Sequence, residues 1–72
     1  MKIGEKIKLA RKRAGLTQEQ LGKKIGVTGV AVMRYERGER QPKVETLLEI
    51  AHHLNVPITD FISFDEAAAM TA

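Results

Sequence analysis
Few of these 72 residues could do covalent or metal chemistry. Cysteine is absent, which removes a thiolate nucleophile, a disulfide framework and sulfur ligands together. The two histidines are neighbours, His52 and His53, and adjacent helical residues point about 100° apart, so they cannot close on one ion. Glu49 and His53 have i, i+4 spacing but lack a third ligand. Ser63 stands in no elbow or triad pattern. Gly22, Gly26 and Gly29 come close to a spaced-glycine phosphate loop but follow no strand, so no nucleotide-binding loop is expected. The side chains thus argue against an enzyme, a metal site and a cofactor.

Cations are the chemistry that remains. Residues 1–40 hold eleven Lys and Arg against four Glu, a net +7, whereas residues 41–72 hold one Lys against five Asp and Glu, a net −4. The overall charge of +3 hides this polarity. A concentrated basic half is the footprint of a phosphate-binding surface, and an acidic remainder keeps the molecule from coating nucleic acid on all sides. Charged residues also simply solvate helix faces, so composition leaves both readings open. The elements that carry the cations favour the first.

Those elements are legible from apolar spacing. Ile3, Ile7, Ala10 and Ala14 recur at helical intervals, the buried stripe of a first helix that runs to about Arg13 and stops at Gly15, with Lys6, Lys8, Lys12 and Arg13 outside it. Thr17 and Gln20 have the spacing of a capping box and open a second helix. Leu21 and Ile25 share its inner face, and Gly26 stands where the chain reverses. Thr28 caps a third helix with Val32 and Tyr35 inside, ending at Arg37-Gly38. Gly29, Val30, Met33, Arg34 and Arg37 fall on its opposite side, open to a partner. Pro42 marks the approach to a fourth helix with Val44, Leu47, Leu48, Ala51 and Leu54 spaced for a core face. Val56–Ile62, with Pro57 in the first turn, predicts a short fifth. The result is an all-α, five-helix bundle whose second and third helices form a helix-turn-helix, a shape that enters a DNA major groove.

From about Ile3 to Ile62 the chain resembles the Xre-type helix-turn-helix family of phage repressors and Cro proteins. The resemblance rests on Thr17-Gln18-Glu19-Gln20-Leu21, Gly26-Val27-Thr28, Arg34-Tyr35-Glu36-Arg37-Gly38 and Pro42-Lys43-Val44-Glu45-Thr46-Leu47, in the family's order and separations. It implies a phage-repressor type DNA-binding domain over residues 1–63. It also implies sequence-specific binding of double-stranded DNA by a dimeric transcriptional regulator, a repressor, with the third helix in the major groove. Two further readings stay open: an antitoxin-type protein-interaction module, in which Val30 and Met33 meet a protein, and the controller of a restriction-modification operon.

Phosphate contacts are expected where Thr17 and the Gln18 amide stand beside unpaired N–H groups and the positive end of the second helix. The family uses the matching glutamine in this way. Arg37, Arg40 and Lys43 cluster around the Gly38 turn, where the resemblance also implies backbone contacts; a solvated charge run is the rival explanation. The resemblance further implies an ion pair between Arg11 and Glu36, which fixes the third helix against the first and leaves guanidinium donors for a phosphate. It assigns base contacts to Gly29, Val30, Met33 and Arg34, and Thr28 adds a hydroxyl at the groove-facing tip.

Of the four family-assigned positions only Arg34 can hydrogen-bond a base, bidentate to guanine O6 and N7. Val30 and Met33 offer apolar contact, naturally to thymine methyls. With so few direct hydrogen bonds, DNA shape and deformability are expected to carry an unusual share of the specificity. Gly22, where many relatives have alanine, suggests close helix packing. Gly29 suggests either close approach to the DNA backbone or simple tolerance at a helix end.

One such domain covers too little duplex, so the family solution is a homodimer on a palindromic operator with half-sites about 34 Å apart. Val56, Pro57, Ile58 and Phe61 exceed what a fifth helix needs for burial and are expected at the dimer contact, with ordinary core packing as the alternative. RNA polymerase or an antagonist protein is a further candidate partner. The charged start Met1-Lys2-Ile3-Gly4-Glu5 lacks the apolar run of a signal, and no segment approaches the roughly 20 apolar residues of a membrane span. A cytoplasmic protein with no membrane partner is therefore expected. Residues 64–72 carry helix-forming alanines without a clear inner face; a frayed helix, a disordered end and the start of a linker all fit.

Overall fold
Gly4, Ile7 and Arg11 form the inner face of the first helix, α1 (Ile3–Arg13), in a computed structural model that describes residues 1–71, Thr71 through its backbone alone. The expected stripe is rotated: Ile3 and Ala10 are only half-buried and Ala14 is exposed. Gly4 explains the rotation, because a Cβ there would fall inside contact distance of the Tyr35 and Glu36 carbonyl oxygens. The backbone of α1 thus crosses the third helix closely at Gly4, and whatever follows one and two turns later must also face inward.

The second helix, α2 (Gln18–Ile25), opens on the expected capping box. Thr17 Oγ1 accepts from the Gln20 N–H at 3.0 Å, and Gln20 Oε1 accepts from the Thr17 N–H at 2.9 Å. It ends at Gly26, whose φ of 77° is a left-handed conformation that favours glycine and turns the chain into α3 (Gly29–Arg37). Thr28 Oγ1 caps α3 by accepting from the Ala31 N–H at 3.1 Å. Gly22 lets this turn fold back on α2, since a Cβ there would lie 2.6 Å from the Val27 carbonyl oxygen.

The fourth helix, α4 (Val44–Leu54), packs against α1 and α2 with Leu47, Ile50, Ala51 and Leu54 buried. Leu48, expected inside, is 49% exposed, and Ile50 takes the inner position instead. The expected helix over Val56–Ile62 is a single 3₁₀ turn, Ile58–Asp60. Phe61 and Ile62 are 1% and 2% exposed. Two successive residues plug the core together because the chain leaves helical geometry there, where neighbours would diverge by about 100°. The fifth helix lies further on as α5 (Phe64–Thr71).

A second reciprocal cap opens α5, with Ser63 Oγ accepting from the Glu66 N–H at 3.1 Å and Glu66 Oε1 accepting from the Ser63 N–H at 3.0 Å. Those bonds from Ser63, helped by the charge of Lys6, hold the Glu66 carboxyl below its ordinary pKa. Residues 64–71 do have an inner side: Ala67 and Met70 lean on the core. Ala72, the last residue of the expected tail, lies outside the described residues. The described residues contain five α-helices and no strand, around a core whose fully buried members are Phe61, Ile7, Leu21, Leu47, Ile50, Ile62 and Val32.

Candidate nucleic-acid interface
One carboxylate joins the three N-terminal helices. Arg11 reaches from α1 so that its Nε donates to Glu36 Oε2 at 2.6 Å and its Nη2 donates to Oε1 at 3.1 Å. A third donation, from Nη1, goes to the Leu16 carbonyl at 2.8 Å. From α2, Gln18 Nε2 donates to the same Glu36 Oε1 at 3.0 Å. The Arg11 and Glu36 side chains are 9% and 2% exposed, so the pair sits in low dielectric with its hydrogen bonds made.

The implied ion pair is therefore present, and the Gln18 bond is an addition that sequence reasoning missed. Its only sequence signal is Gln18 standing first in α2, next to the cap. Arg11 spends at least three of its five N–H groups inside the protein and is buried, which makes it mainly a brace for the surface around it. Gln18 keeps its second amide hydrogen, beside first-turn backbone N–H groups that have no carbonyl four residues back within the helix.

The outer side of α3 is open as its spacing requires. Thr28 and Arg34 are exposed, Val30 is 52% exposed and Met33 is half-buried. Thr28, Val30 and Met33 line one shallow groove with Gln18, Glu19 and Lys23 of α2. Lys23 was not singled out by sequence; it pairs at 4.0 Å with Glu19 on the exposed side of α2. Gly29 also lines this groove. A Cβ there would meet the Glu19 N and Cα at 3.1 Å, a tight α2–α3 contact that adds a third reason for glycine to the two expected.

Arg37, Arg40 and Lys43 are all exposed between the end of α3 and the start of α4. Arg37 lies 3.7 Å from Glu39 in a solvated pair, and the Arg40 guanidinium sits 6.0 Å from the Tyr35 ring centroid. Neither contact hides its cation. A second cleft brings Lys2 and Gln41 beside Arg37, adding a basic residue from the chain start that no local pattern marks.

The expected dimer residues separate. Phe61 is part of the core of its own chain, which corrects its placement at a surface contact; Val56 and Ile58 are half-buried and Pro57 is exposed. His53 Nε2 stands 3.5 Å from Glu49 Oε2, and His52 meets His53 edge-on at 5.2 Å between ring centroids. Among the described residues no group of three His, Cys, Asp or Glu side chains could hold a metal ion, and no helix is long and apolar enough to cross a membrane.

Two capped short helices meeting across a left-handed glycine, with the second one's outer side uncovered, define a helix-turn-helix, and the Helix-turn-helix family pattern matches residues 7–61. The chain belongs to that family, in its Xre and Cro-like branch. It is similar to the HTH-type transcriptional regulator ImmR of Bacillus subtilis, 32% identical over 68 residues that cover 94% of this chain and 54% of ImmR. Repressor protein C2 of Salmonella phage P22 is 40% identical over 52 residues, 72% of this chain and 24% of the repressor. A crystal structure of the P22 c2 repressor with a synthetic operator superposes with a TM-score of 0.81 at 33% identity, covering 88% of this chain and 96% of that one. The regulator SinR in complex with DNA gives a TM-score of 0.78 at 27% identity, covering 85% and 98%. These relatives are transcription regulators, and this chain spans about half the length of the first curated relatives it matches, 45% to 54%.

Proposed function
We propose that this chain is a sequence-specific double-stranded DNA-binding domain of a cytoplasmic transcriptional regulator, a repressor that excludes polymerase from a promoter, and has no catalytic activity. The observation that carries this reading is the groove between α2 and the outer side of α3, lined by Gln18, Glu19 and Lys23 from α2 and by Thr28, Val30 and Met33 along α3. With α3 in a major groove, Gln18 and the first-turn N–H groups of α2 meet a phosphate, Glu36 having fixed the amide orientation. Arg37, Arg40 and Lys43 grip the neighbouring backbone, and Thr17 stands at the same end of α2 as Gln18. Arg34 reads guanine, while Val30 and Met33 sense thymine methyls. Gly29 offers no side chain to a base, so shape and deformability of the operator contribute the rest.

The P22 repressor and SinR, similar in fold, are each seen with DNA, which supports duplex DNA as the partner. Two copies on a palindromic operator, meeting near Val56, Pro57 and Ile58, give the specificity one domain lacks. Binding measured against salt tests the reading. If each subunit neutralises about four phosphates, log affinity falls against log salt with a slope near −7 for the dimer, at about −0.9 per phosphate. A protein that binds no duplex at low salt is instead a protein-interaction module.

A further inference from the structure
Of the four glutamates in the basic half of the chain, one stands where an anion is least expected. Glu36 is buried against Arg11, Glu39 pairs with Arg37 beyond the end of α3, and Glu5 lies on α1. Glu19 lines the groove between α2 and α3, and among the described residues it is the single carboxylate there. Its side chain is 76% exposed, and its pair with Lys23, at 4.0 Å, is loose. A first-turn carboxylate suits the dipole of α2. On a surface that faces phosphates, however, its charge opposes binding, so the dipole alone does not account for its place.

Beside Glu19, α3 has no side chain of its own to offer. Gly29, the first residue of α3, lines the same groove. A Cβ built on it would lie 3.1 Å from the Glu19 Cα and 3.4 Å from the Glu19 Cβ. The Glu19 side chain therefore starts in contact with the point from which a residue at position 29 would reach a base, and it extends further from there. Its chemistry is restrictive, since a carboxylate only accepts hydrogen bonds. In the major groove guanine presents acceptors, thymine an acceptor and a methyl, and adenine its N6 donor beside the N7 acceptor, whereas cytosine presents the N4 donor with no acceptor on its own edge.

We propose that Glu19 is a specificity-determining residue: in place of a side chain at Gly29, its carboxylate accepts from cytosine N4 at the base pair beneath the start of α3. This rests on the DNA-binding reading above and takes over part of the selectivity assigned there to operator shape. Glu19 adds discrimination more than affinity. Its bond to cytosine offsets its repulsion by the phosphates, and at any other base the repulsion stands alone.

Selection from a pool of randomised duplexes tests it, with wild type, Glu19→Ala, Glu19→Gln and Lys23→Ala, each verified as folded by circular dichroism. Alanine keeps the Cβ that packs on Gly29, so Glu19→Ala removes the carboxylate and leaves the α2–α3 contact. Wild type should prefer cytosine by about 5-fold or more at one position that Arg34 does not set. Glu19→Ala should lose that preference alone and bind duplexes with other bases there at least as tightly as wild type does. Glu19→Gln should move the preference to adenine, whose N6 and N7 a glutamine amide meets. Lys23→Ala, which breaks the ion pair and spares the carboxylate, should keep it. A Glu19→Ala pool identical to that of wild type overturns the proposal, and so does an equal loss of preference in Lys23→Ala, which would make the ion pair responsible. Wild type that selects duplexes without a Glu19-dependent position refutes this inference alone, whereas wild type that selects no duplex refutes the DNA-binding reading together with it.

Discussion

Replacing Glu36 with alanine should cost more than any exposed charge change in this chain. The variant leaves the Arg11 guanidinium with the Leu16 carbonyl alone, in a site where the arginine side chain is 9% exposed and water cannot substitute freely for the lost carboxylate. Breaking a buried pair by removing one partner costs about 3–5 kcal/mol. A domain of this size has a total stability of roughly 4–11 kcal/mol, so about half of it is at stake. At about 4–8 °C per kcal/mol, the midpoint of thermal unfolding should fall by at least ~12 °C. The exposed Lys23–Glu19 pair, 4.0 Å apart, is the internal control: Lys23→Ala should change stability by no more than about 0.5 kcal/mol. Urea unfolding followed by circular dichroism measures both. The double variant Arg11→Met/Glu36→Leu removes both charges, should recover most of the loss, and should still bind operator less tightly because Gln18 has lost its acceptor. A Glu36→Ala cost within about 1 kcal/mol would falsify the claim that this pair braces the three helices.

Gly22→Ala places a methyl 2.6 Å from the Val27 carbonyl, a backbone atom that cannot rotate away, so the gain in helix propensity of about 1 kcal/mol should be outweighed by overpacking of about 1–3 kcal/mol. A urea midpoint at or above that of wild type refutes this. The Glu66 carboxyl is held below its ordinary pKa by Ser63, so its stabilising effect on α5 is complete above the unfolded pKa and is lost as pH falls through the folded one. Chemical shifts of α5 should therefore lose helicity in acid before those of α4 do, and Ser63→Ala should lose it already at neutral pH; identical titration of both helices refutes the cap. Arg34→Ala should erase preference at one base pair, worth about 1–3 kcal/mol, with phosphate affinity largely kept. Unaltered preference at every position in a selected pool of duplexes removes Arg34 from the reading face.

Where the information was local, the sequence was a good guide. Thr17 and Gln20, Thr28, and Gly26 act within four residues of themselves, and each cap and turn formed as its spacing requires. Positions set by how helices cross were less legible. No local pattern marks Gly4, yet the carbonyls of Tyr35 and Glu36 need its missing side chain, and that contact rotates α1 so that Arg11 points inward. Leu48 and Ile50 are both apolar on α4, and only the direction of the neighbouring helices selects Ile50 for the core.

The sequence by itself determined the first four helices, where the helix-turn-helix lies and which face of α3 is left without apolar partners, because periodicity and capping are properties of contiguous residues; the fifth helix it placed too early, over Val56–Ile62 instead of Phe64–Thr71. Tertiary structure alone decided that Gln18, from α2, shares a carboxylate with Arg11 of α1, that Gly29 packs closely on Glu19, and that Phe61 turns inward while Phe64 stays in water. Each of these depends on distances between residues separated along the chain or on the point where helical geometry breaks, and no pattern within a single helix encodes them.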